Sequence, residues 1–233
     1  MFQRIALIAL GLFLVTQVPM AQAQARRGSS PGASSILDHK AELHVFGGYS
    51  WTWSRRVGAP TGIGGSIQYG DADISDSGFW GIELDYNVAP GQMVEFMYSR
   101  QDAVLTFNPD TAPKKNVSDI AVHYYQIGGL AGVPQGNIFP YGSFTLGLTY
   151  FSPKNNFDDQ PFVDSTTRFS VIPGLGVRIY AGERIVLRLQ ARLPISFFGG
   201  GVGFGCGGGG CGTTVGGYGL TQFDLGGGLG VRF

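Results

Sequence analysis

Three sets of residues in this chain could do chemistry. His44 and His123 are candidate general bases. Cys206 and Cys211, separated only by Gly207 to Gly210, could close a disulfide or supply two ligands to a metal ion. The carboxylates Glu42, Glu83, Asp85, Glu95 and Asp119 all precede the arginines Arg168, Arg178, Arg188 and Arg192, with Asp224 and Arg232 after them. Such a separation suits ion pairs made between distant parts of the fold. A zinc site at the cysteines would need two more ligands, and the nearby sequence offers no histidine or acid. In an oxidising compartment a small disulfide-closed loop is the better reading. The run Gly203 to Gly208 matches the glycine spacing of a dinucleotide fingerprint but lacks the strand before it and the helix after it. No metal and no cofactor is therefore expected.

Strands must position these residues. Counting back from the C-terminus, Phe233, Val231, Leu229, Leu225 and Phe223 share one face, and Arg232, Gly230, Gly228, Gly226, Asp224 and Gln222 share the other. That is the two-residue period of a β-strand. Seven earlier segments alternate in the same way. The first sets Leu43, Val45, Tyr49, Trp51 and Trp53 against Glu42, His44 and Ser50, and the second sets Trp80, Ile82, Leu84, Tyr86 and Val88 against Glu83 and Asp85. The third opposes Val94, Phe96 and Tyr98 to Glu95, Met97 and Ser99. The fourth, 118–131, opposes Ile120, Val122 and Tyr124 to Asp119, Ala121 and His123, but Gln126 falls on the apolar face, which predicts a bulge near Gly128-Gly129. The fifth opposes Phe144, Leu146, Leu148 and Tyr150 to Ser143, Thr145 and Thr149. The sixth opposes Phe169, Val171, Leu175, Val177 and Ile179 to Arg168, Ser170 and Arg178, and the seventh Ile185, Leu187, Leu189, Leu193 and Ile195 to Arg188, Gln190 and Arg192.

With 43% hydrophobic, 13% aromatic and 14% charged residues, the 233-residue chain is poor in charge, where about 25% is usual for a soluble domain. Its formal net charge of zero gives no reason to expect nucleic acid as a partner. Residues 1–25 read as a secretory signal: Arg4, an apolar run from Ile5 to Val15, and the small-residue cleavage sites Ala21-Gln22-Ala23 and Ala23-Gln24-Ala25. That run is too short to span a membrane as a helix. Residues 26–40 read as a periplasmic linker rich in Ser, Gly and Pro, and 41–233 as one strand-built domain.

The links between strands alternate in length. Ala89-Pro90-Gly91, Gly132 to Gly136 and Ala181-Gly182-Glu183 are tight, whereas Arg56 to Gly78, Val104 to Val117, Ser152 to Thr166 and Phe198 to Gly217 are long. Short turns on one side and long loops on the other are the pattern of membrane barrels, with short turns periplasmic. A secreted N-terminus starts in the periplasm, so the first link must be long, and it is. The alternative is a soluble barrel with its apolar face inward. Charge identity argues against it, since Lys40, Lys114, Lys115 and Lys154 fall before the first strand or in expected loops, while the strand charges are mostly Arg, Glu and Asp. Arginine beside carboxylates suits a confined, ion-paired interior. Trp51, Trp53, Trp80, Tyr150, Phe151 and Phe233 near strand ends suit interfacial girdles. The expected fold is all-β: an eight-stranded antiparallel up-and-down transmembrane β-barrel.

In signal sequence, eight alternating strands, loop asymmetry and terminal Phe233, residues 41–233 resemble the small eight-stranded outer-membrane barrels, the OmpA transmembrane domain, OmpX and OmpW-like group. The resemblance implies the bacterial outer membrane, contact with membrane lipid and lipopolysaccharide, and recognition of Phe233 by the outer-membrane insertion machinery. Because the chain ends at the barrel, the peptidoglycan anchoring of full-length OmpA is not implied. An eight-stranded barrel is just wide enough for side chains to fill. The acids and arginines named above are thus expected to form a lumenal ion-pair network, and function is expected to lie in four extracellular loops with structural or surface-interaction roles and an extracellular ligand. The alternative, implied by the OmpW-like members, is a narrow channel for small or hydrophobic solutes. A lipid-modifying hydrolase of the PagL type would use a histidine base, but its His-x-Ser arrangement is absent, as His123 is followed by Tyr124, Tyr125 and Gln126. No catalytic residue is assigned, and both histidines are expected to point inward.

Overall fold

The computed structural model describes residues 39–53, 55–61, 66–110, 113–156, 165–198, 202–207, 210–215 and 218–233. The expected signal and nearly all of the expected linker, 1–38, lie outside them. In chain order the strands are β1 (Ala41–Thr52), β2 (Arg55–Thr61), β3 (Ser66–Ile74), β4 (Ser77–Ala89), β5 (Gln92–Pro109), β6 (Lys115–Gly132) and β7 (Ile138–Asn156). They continue as β8 (Thr166–Ala181), β9 (Ile185–Arg192), β10 (Ile195–Phe198), β11 (Val202–Gly207), β12 (Gly210–Val215) and β13 (Tyr218–Arg232).

Antiparallel pairing runs β1–β4–β5–β6–β7–β8, then to β9 and β10, to β13, and back to β1. The sheet therefore closes into a ring of eight staves, β9 and β10 together forming the seventh. Closure leaves the ring itself no open edge, which is the condition for crossing a bilayer with strands. The closing seam runs from Glu42↔Arg232 to Thr52↔Gln222. At its end the Phe233 N–H donates to the Ala41 carbonyl at 2.9 Å, and the Phe233 carbonyl accepts from Lys40 and Ala41 at 3.1 and 3.0 Å.

Alternation decides what each stave shows to either side. Val45, Trp80, Phe96, Phe144, Leu148, Leu189 and Leu229 point outward, with Val45 and Leu229 each 60% exposed. A continuous apolar exterior is stable only against an apolar solvent, so the wall is a lipid-facing surface.

At one end the turns are tight, and Gly91, Gly136 and Gly182 take φ of 76°, 64° and 81°, the left-handed region open to glycine at little cost. At the other end the expected loops are partly strand. β2 and β3 form a hairpin from Arg55↔Ala72 to Thr61↔Ser66, and β3 runs on beside the upper part of β5. β11 and β12 form a separate two-stranded sheet. The seventh stave is interrupted at Leu193-Pro194, because Pro194 has no N–H to donate. The sheet stays bonded across the gap through Leu193 N–H to the Pro173 carbonyl and Gln222 N–H to the Pro194 carbonyl, both 2.9 Å.

β6 departs from expectation. Ile120, Val122, Tyr124 and Gln126 are all buried in the interior, while Tyr125 and Ile127 are exposed on the outer wall. The face expected to meet lipid is therefore the inner one, and Asp119 and His123 stand on the outward side. Gln126 is in phase. No bulge occurs at Gly128-Gly129, which pair regularly with Glu95 and Val94; the register shifts lie instead between Leu105 and Thr106 and between Asp119 and Ile120. Phe151, expected in a girdle, is likewise inward, packed on Phe198 at 4.9 Å.

The interior is layered, and β5 shows the order. Met93, nearest the tight turns, joins Leu130, Phe139, Tyr141, Tyr180 and Val186 in one apolar cluster. Glu95 follows in a charged layer. Met97 then begins a second cluster with Phe46, Phe79, Ile120, Val122, Tyr124, Phe151 and Ile172.

Candidate functional site

The charged layer is built from alternate positions on six staves. Arg178 on β8 reaches Glu42 on β1 at 2.7 Å and bonds Asp85 on β4, with Glu83 at 3.7 Å. Arg188 on β9 pairs with Glu83, reaches Asp85 at 3.3 Å and Glu95 on β5 at 3.0 Å, and donates through Nε to Gln190 at 3.0 Å. His44 Nε2 lies 3.1 Å from Glu42 and 3.5 Å from Asp85. Arg192 pairs with Asp224 on the neighbouring stave at 3.0 Å. All of these side chains are buried.

In an eight-membered ring β8 stands opposite β4, and β9 opposite β5. Arg178 to Asp85 and Arg188 to Glu95 therefore bridge the full diameter. A third diametral bridge lies nearer the long hairpins, where the Tyr124 hydroxyl of β6 donates to Gln222 Oε1 of β13. Gln222 in turn donates to Gln101 at 2.9 Å and to Thr52 at 3.0 Å.

Aromatic rings brace the arginines. Arg178 and Arg188 stack on Tyr141 at 5.2 and 4.9 Å, and Arg192 lies between Phe46 and Phe79 at 4.8 and 5.0 Å. Cation–π contacts of this kind strengthen as water is removed. The sequence reading did not single out these rings. The signal was there, since Phe46 shares the parity of Glu42 and His44, and Phe79 that of Glu83 and Asp85.

Three groups expected in the network, Arg168, Asp119 and Arg232, stand apart from the charged layer. Arg168 is half-buried towards the long hairpins, over the Phe198 ring at 5.6 Å. Asp119 is half-buried on the outward side of β6, a consequence of that strand's reversed faces. Arg232 is buried at the opposite end, where its Nη2 donates to the Gly182 carbonyl at 2.9 Å and its Nε to that of Glu183, and its plane covers Tyr180 at 4.8 Å. It thereby ties the last strand to the β8–β9 turn.

The acids Glu42 and Asp85 with His44, and Glu83 and Asp85 with Glu95, each bring ligand atoms within 4.8 Å of one another, a spacing that could hold a cation. In this structure the guanidinium groups of Arg178 and Arg188 stand in that position. Cys206 and Cys211 are directly opposite in the β11–β12 register.

His123, expected inside, is on the outer wall. Its Nδ1 is 3.0 Å from the Tyr98 hydroxyl, and its ring packs near Tyr150 at 6.0 Å. Tyr98 also contacts Trp80 and Tyr125 at 5.9 and 5.2 Å. Just beyond, Asp102 accepts from Arg100 at 3.1 Å and from Lys154 at 2.6 Å. Lys154, expected in a loop, belongs to the outer end of β7.

A closed antiparallel ring of eight staves, apolar outside and ion-paired within, is the fold of the small outer-membrane β-barrels. Comparison with solved structures agrees. The chain is similar to the outer membrane protein OprG from Pseudomonas aeruginosa, with a TM-score of 0.57 and 14% identity over 84% of this chain and 97% of that one. It is also similar to Neisserial surface protein A (NspA), with a TM-score of 0.51 and 13% identity over 83% and 97%. At such identities the likeness is one of fold. No protein-family model matches the chain, and no curated protein matches it.

Proposed function

We propose that the protein is an integral barrel of the bacterial outer membrane whose lumen is occupied by its own side chains, and that it serves as a structural or surface-interaction protein through its long-hairpin end. The observation that carries this reading is the pair of diametral bridges from Arg178 and Arg188. An open path would have to displace two buried guanidinium groups from the carboxylates of the opposite wall. Leaving such a group unpaired typically costs about 3–5 kcal/mol. The hairpins β2–β3 and β11–β12 extend the surface offered at the outer end. A hydrolase reading draws no support from the histidines, because His44 is sealed inside and His123 is bonded to Tyr98.

The test is electrical. Protein purified from the outer-membrane fraction, with its barrel confirmed by a heat-dependent shift in gel mobility, is expected to show no steady conductance in planar bilayers. Stable single-channel conductance reproduced across preparations would refute the closed lumen and favour a narrow channel for small or hydrophobic solutes.

A further inference from the structure

We infer that the outer wall where β4 to β7 pass the loop-side rim is a binding site for a phosphorylated glycolipid of the outer leaflet. This inference rests on the outer-membrane reading and deepens it. Register places Trp80, Arg100, His123 and Tyr150 side by side on four adjacent staves. Arg100, about one-third exposed, and Lys154, somewhat more so, both turn to the single carboxylate of Asp102. The cluster thus carries two cations against the one carboxylate they share, with Asp119 farther toward the loops on the same side of β6 and the apolar wall on the other side of the cluster. A charge excess at the edge of the lipid-facing belt attracts an anion at the same depth, and in a bilayer that anion is a headgroup phosphate. Trp80, Tyr98, Tyr125 and Tyr150 surround it with the amphipathic rings that settle at headgroup level.

One register step deeper, the wall carries a shallow groove of about 460 Å³, lined on the lipid side by Ile82, Leu84, Phe96, Tyr125 and Ile127. Tyr98 belongs to both features, lining the groove and bonding His123. A ligand with a phosphate at one end and acyl chains at the other fits this order, with phosphate between Arg100 and Lys154 and a chain along the groove. A soluble anion would satisfy only the first half. A soluble protein partner would meet the hairpins first, whereas these residues lie on the wall.

The test uses the folded protein in uncharged detergent and native mass spectrometry, with three probes: bisphosphorylated lipid A, the same glycolipid with its phosphates removed, and inorganic phosphate as competitor. Wild type should retain the phosphorylated form preferentially, and inorganic phosphate should displace it poorly. Replacing both cations (Arg100→Gln with Lys154→Gln) should weaken retention roughly thirtyfold, as expected for two interfacial charges. Asp102→Asn should strengthen it. All variants alter the outer face and should keep the heat-dependent gel shift. Equal retention of the two glycolipids, or full retention by the double variant, would overturn the site while leaving the barrel reading intact. Ready displacement by inorganic phosphate would replace the lipid by a free anion. Failure of the wild type to form a heat-modifiable barrel would overturn the outer-membrane reading along with the site.

Discussion

Arg188 offers the sharpest test of how the barrel interior is held. It is the shared partner of Glu83, Asp85 and Glu95, and its Nε also satisfies Gln190. In Arg188→Met the volume is largely kept, but the three carboxyl groups are left to Arg178, which reaches Asp85 directly, stands 3.7 Å from Glu83 and makes no ion pair with Glu95. Breaking a buried pair by removing one partner typically costs about 3–5 kcal/mol, against about 0–1 kcal/mol for an exposed pair. Removing an acid should behave differently. Glu42, Glu83, Asp85 and Glu95 share two guanidinium groups, Arg178 and Arg188, with His44 beside Glu42 and Asp85, so Glu83→Gln relieves a local excess of carboxyl groups and should cost no more than about 1–2 kcal/mol. Combining the two should recover part of the loss, with a coupling of about 0.5–3 kcal/mol expected for residues in one network. Unfolding in urea, followed by tryptophan fluorescence and by the gel shift, measures all three. The reasoning fails if Arg188→Met is no more destabilising than Arg100→Met on the outer wall, or if the double variant is simply additive.

Two further outcomes are expected beside the conductance and lipid-binding tests. Gly230 is the position in the closing seam where a Cβ would stand 2.2 Å from His44 Nδ1. Gly230→Ala must therefore push His44 off Glu42 and should cost about 1–3 kcal/mol, whereas Gly142→Ala, whose nearest neighbour would be at 4.0 Å, should be tolerated; equal stabilities in thermal unfolding would contradict the close approach. The opposed register of Cys206 and Cys211 predicts no free thiol before reduction and an intact barrel when both are replaced by serine, and two freely titrating thiols in the unreduced folded protein would refute the disulfide.

Most of the architecture is legible in the sequence because one physical rule governs both sides of each stave. Lipid outside demands apolar residues at every second position, and the narrow lumen collects the polar ones, so β1, β4, β5, β7, β8, β9 and β13 could be assigned a face from parity alone. β6 shows where the rule stops. Its residues Ile120, Val122 and Tyr124 lie near the outer end, at the height where the interior is an apolar cluster around Phe46, Phe79 and Phe151 rather than a charged layer. At that same height the exterior meets headgroups instead of hydrocarbon, so polar Asp119 and His123 are acceptable outside. Both halves of the polarity rule reverse together, and a reading based on hydropathy alone assigns the strand backwards. Gln126 was the tell: it is out of phase only if Ile120 faces lipid. The same reasoning explains why Lys154 is expected in a loop from sequence and Asp102 is not singled out. They stand on strand extensions beyond the apolar belt, where lysine is permitted and where the sequence resembles a loop, yet the backbone pairing continues through Ser118↔Asn156. Parity reports the solvent on each side of the wall, and it misleads wherever that solvent changes along the strand.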